Sequence, residues 1–187
     1  ILYKLRELLI ANLDELTYLV AWENGKSWGD AQGDVLKAKE ATEVACGIPS
    51  LMMGESTMDA SNGIDTVLYR EPLGVFAGII PFNFPAMIPM GWMTPFCISC
   101  GNTIVLKVAS MTPQTAMRIA ELYKEAGLPD GVINIVTCSR NEADILLSHP
   151  DIKGISFVGS TSVGLSVYSR AAAAGKRVQC LTEAKNH

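Results

Sequence analysis

Asn83 is the side chain in this sequence best placed to do chemistry. It stands in Pro81-Phe82-Asn83-Phe84-Pro85, a polar group set between two aromatics and two prolines. The prolines fix φ on either side and remove backbone donors, so the turn is rigid. A second candidate is Lys107, the charge that ends the short apolar run from Thr103. Open α/β sheets bind ligands outside the carboxyl ends of their strands, and both residues fall at such ends. A third is the junction Phe157-Val158-Gly159-Ser160-Thr161-Ser162-Val163-Gly164. Small residues there let a backbone approach a phosphate, and the N–H groups that open a helix favour an anion. Alone this stretch is more often an ordinary turn, for it is neither G-x-G-x-x-G nor a P-loop. With Lys107 at a neighbouring strand end, a dinucleotide becomes the better reading.

The other reactive side chains give weaker signals. Cys97 and Cys100 form C-x-x-C within an apolar helix, but no second Cys or His pair accompanies them. A zinc site needs four ligands, so no metal is expected. The five cysteines are odd in number and mostly sit in apolar segments, as reduced thiols of an intracellular protein do. His149 precedes a proline in a turn and His187 is the last residue; neither has a partner that marks a triad.

The elements that must position these residues follow from periodicity. The chain has 187 residues, 49% hydrophobic and 18% charged, enough for one large domain with a substantial core. Its net charge of −4 and lack of a basic run argue against a nucleic-acid surface. Residues 1–22 carry one helical stripe of leucines, stopped by Asn24-Gly25. Ser27 with Asp30 resembles a capping box for a helix running to about Cys46. Residues 54–63 read as a polar loop and Ile64 to Tyr69 as a strand returning to the sheet. Leu73 to Ile80 is a buried strand, and Met87 to Cys100 is a buried helix too short to span a membrane. Further strands are expected at 103–107, 132–136, 152–158 and 177–181. Helices are expected at 112–126, 141–147 and 165–174, the last reached through a turn over 159–164. This alternation predicts an α/β fold, a doubly wound parallel sheet, preceded by two helices. The division expected is a helical pair and loop over 1–63 and a cofactor-binding α/β domain over 64–187.

The order Glu71-Pro72-Leu73-Gly74-Val75, then Pro81 to Pro85, then Gly101-Asn102-Thr103 with Lys107, resembles the cofactor-binding half of the aldehyde dehydrogenase superfamily. The resemblance covers essentially the whole chain. Residues 46–55, 63–66 and the terminal Glu183-Ala184-Lys185-Asn186-His187 narrow it to the coenzyme-A-acylating methylmalonate-semialdehyde dehydrogenase branch, as does Phe82. The resemblance implies a Rossmann-like domain binding NAD and an asparagine, matching Asn83, that donates its amide to an oxyanion. It implies cofactor contacts at Ile80, Pro81, Phe82, Lys107, Ser110, Met111, Gly159, Ser160 and Thr182. Lys107 matches the lysine on the adenine ribose, and Ser160 matches a residue on the pyrophosphate. A small semialdehyde and coenzyme A are the implied partners, in a homo-oligomer of the cytoplasm or mitochondrial matrix, with the strand near residue 64 in a bridging element.

Several residues depart from that pattern. Ser110 stands where the family carries a glutamate for the ribose hydroxyls, and Met111 where the branch carries an arginine. Glu183 stands where glycine is usual, close to the active site. Anchoring on Lys176-Arg177-Val178 puts Leu181 where hydrolytic members carry the glutamate that activates water. Leu181 is also an ordinary core residue of a strand, and both readings hold together. None of the five cysteines matches the nucleophile motif, so the chain is expected to be an N-terminal fragment without the catalytic half.

Overall fold

The computed structural model describes residues 1–183. The stretch 184–187, with His187 and most of the terminal motif, lies outside the described residues. The chain opens with α1 (Leu2–Ala11), α2 (Leu13–Asn24) and α3 (Trp28–Ala45), and a single turn, α4 (Ile48–Leu51). A ribbon follows, β1 (Ser56–Ser61) and β2 (Ile64–Val67). Then come β3 (Val75–Ile79), a π-helical segment (Met87–Met93), α5 (Thr94–Ser99) and β4 (Thr103–Lys107). The remainder is α6 (Gln114–Glu125), β5 (Ile133–Val136), α7 (Arg140–Ser148), β6 (Ile152–Gly159), α8 (Thr161–Ala173) and β7 (Arg177–Thr182).

Five strands form one parallel sheet in the order β5-β4-β3-β6-β7. The chain winds outward from β3 to β5, then crosses to the other side of β3 for β6 and β7. The topological switch therefore lies between β3 and β6, where ligand crevices form in such sheets. Side chains alternate between the faces. Phe76, Ile104 and Leu106 pack with Leu5, Leu9, Leu16, Val20, Val35 and Tyr123 of the helices on one side. Ala77, Ile155 and Phe157 pack with Leu147, Val167 and Ala171 of α7 and α8 on the other. Each sheet face is thus covered, as a parallel sheet requires.

Five expectations need correction. The stripe over 1–22 is two helices, because Asn12 breaks it: its Nδ2 donates to the Leu8 carbonyl at 2.8 Å. A side chain that bonds the backbone in this way competes with the helix ladder. Residues 54–63 are not a loop, since 56–61 pair antiparallel with β2 around Asn62-Gly63, with Gly63 at φ +73°. That ribbon stands apart from the main sheet, so β2 does not return to it. Every residue of the ribbon is exposed, and without a buried face there is no alternation to read. Residues 87–93 form a π-helix rather than a regular α-helix, and the Thr94 hydroxyl donates to the Pro89 carbonyl at 2.6 Å. Finally α8 begins at Thr161, not Leu165, so the supposed turn over 161–164 is its first turn.

One close backbone approach and three sets of polar contacts that sequence periodicity does not reveal hold the elements in place. Gly91 of the π-helical segment lies against α3 so closely that a Cβ would stand 2.7 Å from the Ala38 Cα. The Tyr123 hydroxyl, fully buried in α6, donates to the Met90 carbonyl at 3.3 Å. Glu23 at the end of α2 accepts from the Gln114 and Thr115 N–H groups, at 2.8 and 3.0 Å, and so caps α6. Buried Asn102 organises the entry to β3: its Oδ1 accepts from the Leu73 and Gly74 N–H groups at 2.8 and 3.0 Å. Asn102→Ala strands both donors. We expect a loss of roughly 2–3 kcal/mol in urea unfolding; an unchanged midpoint would show that other groups take the bonds.

Candidate functional site

The site is built at the carboxyl ends of β3 and β6. β3 delivers the chain to Ile80, which is buried and donates its N–H to the Lys107 carbonyl at 3.3 Å. Pro81 to Phe84 then cross the end of the sheet, with Phe82 52% exposed and Phe84 36%. This loop is clamped from behind. Asn24 Nδ2 donates to the Phe82 carbonyl at 2.7 Å, and the Thr112 hydroxyl to the same oxygen at 3.3 Å. Asp34 of α3, wholly buried as a side chain, accepts from the Met87 N–H at 2.7 Å and pairs with Lys26 at 3.2 Å. The Lys26 ammonium in turn stands 3.9 Å over the Phe84 ring, a cation–π contact. Residues of the α2–α3 region, with Thr112, therefore hold the Asn83 loop. The clamping residues Asn24, Lys26, Asp34 and Thr112 were not identified by sequence reasoning; the only local signal is a buried-type position, Asp34, occupied by a carboxylate on the apolar stripe of α3.

A cleft of about 480 Å³ opens in front of the loop. Asn83 lines it with Phe82, Phe84 and Trp92 on one wall, and Val158, Gly159, Ser160 and Glu183 on the other. The structure thus brings Asn83, Pro81, Phe82, Gly159 and Ser160 together across the switch point. Ser160 is exposed in front of α8, and its side chain makes no capping bond. Thr182 lies beside them on β7, paired in register with Gly159.

Lys107 belongs to a second, smaller cavity of about 180 Å³ on the opposite face of the sheet. Ile79, Leu147, Val163 and Val167 supply its apolar walls, and Arg140, Asp144, Ser166 and Arg170 its polar ones. Arg170 and Asp144 form an ion pair at 2.7 Å that ties α8 to α7. Arg140, Asp144 and Arg170 were absent from the sequence expectations because nothing marks two helix surfaces as facing one another. Ser110 and Met111 are exposed, Met111 at 74%, and line neither cavity.

The two cavities together suit an elongated anionic ligand that bridges a sheet edge. One offers cations and apolar walls; the other offers small residues at the start of a thirteen-residue helix. Three of the thiols are shifted away from the reactive thiolate. Burial pushes Cys97 up to about 12, with the neighbouring Cys100 adding to it. Burial also raises Cys46 and Cys180. A nucleophilic thiol needs the opposite shift. Among the described residues, no group of three His, Cys, Asp or Glu side chains is placed to hold a metal ion. Nor is any described helix long and apolar enough to cross a membrane.

Comparison with known proteins bears on the family and the fold. The model of the aldehyde dehydrogenase family matches residues 1–187. A malonate-semialdehyde dehydrogenase of Geobacillus kaustophilus is 55% identical over the whole chain, which spans 38% of that relative. The acylating, mitochondrial methylmalonate-semialdehyde dehydrogenase of Arabidopsis thaliana is 48% identical, and the chain spans 31% of it. Among solved structures, one described as a methylmalonate-semialdehyde dehydrogenase of Sinorhizobium meliloti complexed with NAD superposes with a TM-score of 0.95 at 46% identity. It covers all of this chain, which is 38% of its own length.

Burial holds the Asp34 carboxyl above its ordinary value of 3.8, against the opposing pull of the Met87 N–H and Lys26. A raised carboxyl binds its proton more tightly in the folded chain than in the unfolded one. Its contribution to stability is therefore present in full below 3.8 and is lost as pH rises through the folded value. Urea midpoints measured upward from about pH 4 should fall for the wild type relative to Asp34→Asn. Parallel profiles would show that the carboxyl is not held up.

Proposed function

The chain belongs to the aldehyde dehydrogenase family, and from that premise we propose that it is the dinucleotide-binding part of a coenzyme-A-acylating semialdehyde dehydrogenase. Malonate or methylmalonate semialdehyde is the proposed substrate, NAD the proposed oxidant and coenzyme A the proposed acyl acceptor. The observation that carries this reading is the pair of cavities at the switch point of the sheet. Lys107 lies in one, and Gly159-Ser160 with Asn83 in the other.

These residues fit a dinucleotide. The first N–H groups of α8 lack intrahelical acceptors by geometry, and no side-chain cap from Ser160 covers them, so they suit a diphosphate. Lys107, among the apolar walls of Val163 and Val167, suits a ribose and base. Ile80, Pro81, Phe82 and Thr182 are assigned to the same ligand along the sheet edge, and Ser110 and Met111 to its ribose end. When bound, a nicotinamide dinucleotide supplies the two-electron acceptor of aldehyde oxidation.

The chain's own residues have separate tasks in that reaction. Asn83 donates its side-chain N–H to the oxygen that becomes negative when a thiolate adds to the aldehyde carbon. A donor held on a clamped loop is already oriented when that charge develops. Phe82, Phe84 and Trp92 give the cleft around it an apolar wall. The thiolate is assigned to none of the five cysteines here, in keeping with the upward shifts of Cys46, Cys97 and Cys180. Leu181 has no lone pair to accept a proton and is no general base, which leaves the acyl thioester to a stronger nucleophile such as the coenzyme A thiolate.

Calorimetric titration tests the cofactor assignment. Lys107→Ala should weaken NAD binding to this chain. Ser110→Glu should tighten it roughly tenfold or more by restoring a charged acceptor, and should turn selectivity from NADP toward NAD. If neither variant moves the affinity, the assignment of Lys107 and Ser110 is wrong. The chain alone should not oxidise a semialdehyde; measurable turnover would point first to Cys180. A chimera with a complete catalytic half tests the acyl acceptor. Turnover there should depend on coenzyme A, and equal release of free acid without it would sink the acylating assignment.

A further inference from the structure

We propose that Glu183 is an internal competitor for the anion position at the start of α8. Its carboxylate takes the place that a phosphate of a bound nucleotide needs, so the chain binds diphosphates weakly while Glu183 is seated. This deepens the dinucleotide reading above and rests on it for the identity of the physiological ligand.

Four observations place the side chain there. Glu183 has φ +65°, the left-handed region, and Asp59 is the only other non-glycine residue with positive φ among those described. Such a backbone is uncommon for a residue with a Cβ. Here it follows the last residue of β7, and the Glu183 N–H donates to the Gly159 carbonyl at 3.3 Å. The carboxylate reaches α8, where Oε1 accepts from the Thr161 hydroxyl at 2.8 Å. Thr161 is the first residue of α8, and no acidic residue lies in that helix's first turn. The charge that complements the positive helix end is therefore supplied from β7 rather than by the helix itself. Lastly, Glu183 lines the same cleft as Asn83, Gly159 and Ser160.

A second anion brought to this position meets the carboxylate at close range, and like charges a few ångströms apart repel even at an exposed site. A glycine at 183 adopts the same backbone without strain and leaves the position open. Glutamine keeps the shape and removes the charge.

The experiment titrates inorganic pyrophosphate and NAD separately into the 187-residue chain, as wild type, Glu183→Gly, Glu183→Gln and Lys107→Ala. Both Glu183 variants should tighten pyrophosphate binding, by about tenfold at a helix end of this kind, and NAD binding with it. The urea midpoint of Glu183→Gln should fall slightly, since the charge at the helix end is lost, and Glu183→Gly should recover part of that loss by relieving the left-handed residue. Pyrophosphate affinities that are equal in all three chains, or binding too weak to detect in every one, overturn the proposal. If pyrophosphate tightens while NAD binds none of the chains, Glu183 acts as proposed and the dinucleotide reading fails. If NAD affinity falls in Lys107→Ala but ignores both Glu183 changes, the dinucleotide reading stands and the role of Glu183 is wrong.

Discussion

Asp34 is the point on which the site depends. Its carboxylate is buried, receives the Met87 N–H and pairs with Lys26, whose ammonium lies over Phe84. Taking two charges out of water costs several kcal/mol per ion, and only good geometry with further hydrogen bonds repays it. An ion pair of this kind is therefore poor value as a source of stability. What it supplies is position. The start of the π-helical segment and the aromatic wall beside Asn83 are both referred to one carboxylate on a rigid helix. Replacing a partner would leave a buried charge alone, so the loop has few alternative arrangements.

The sheet order gives that loop its setting. Because β3 and β6 are neighbours whose connections leave in opposite directions, no helix crosses between their carboxyl ends. The gap becomes a cleft on one face, walled by Phe82, Phe84 and Trp92, and a smaller cavity on the other, walled by α7 and α8. The Arg170–Asp144 pair and the cap that Glu23 places on α6 are long-range contacts of the same type. In each, a charged side chain of one helix sets the position of another element at the rim of the sheet.

Glu183 shows how a single residue can change what such a rim accepts. In one direction it completes a helix end by electrostatics; in the other it fills a place open to an external anion. The internal contact comes without the translational entropy that an external ligand loses on binding. A modest interaction with Thr161 is therefore enough to compete.

The amino-acid sequence by itself determined the β/α alternation, the five strands and the positions of Asn83, Lys107 and Ser160 at strand ends. Those features are local: short apolar runs bounded by proline and glycine, and polar residues at their termini, depend on neighbours a few positions away. The resemblance carried by the Pro81 to Pro85 turn and its flanking motifs pointed to the same family that the whole-chain match shows. Tertiary structure alone decided the rest. The β1–β2 ribbon has no buried face, so no periodicity announced it. The break at Asn12 and the π-helical turn after Ala86 arise from side-chain bonds and close packing that a hydrophobic pattern does not encode. Asp34, Lys26 and Asn24 meet the Asn83 loop across more than fifty residues of chain. The cavities that Lys107 and Asn83 line both lie beside β3 because the strand order puts β3 between β4 and β6, and that order is a property of packing rather than of any one segment.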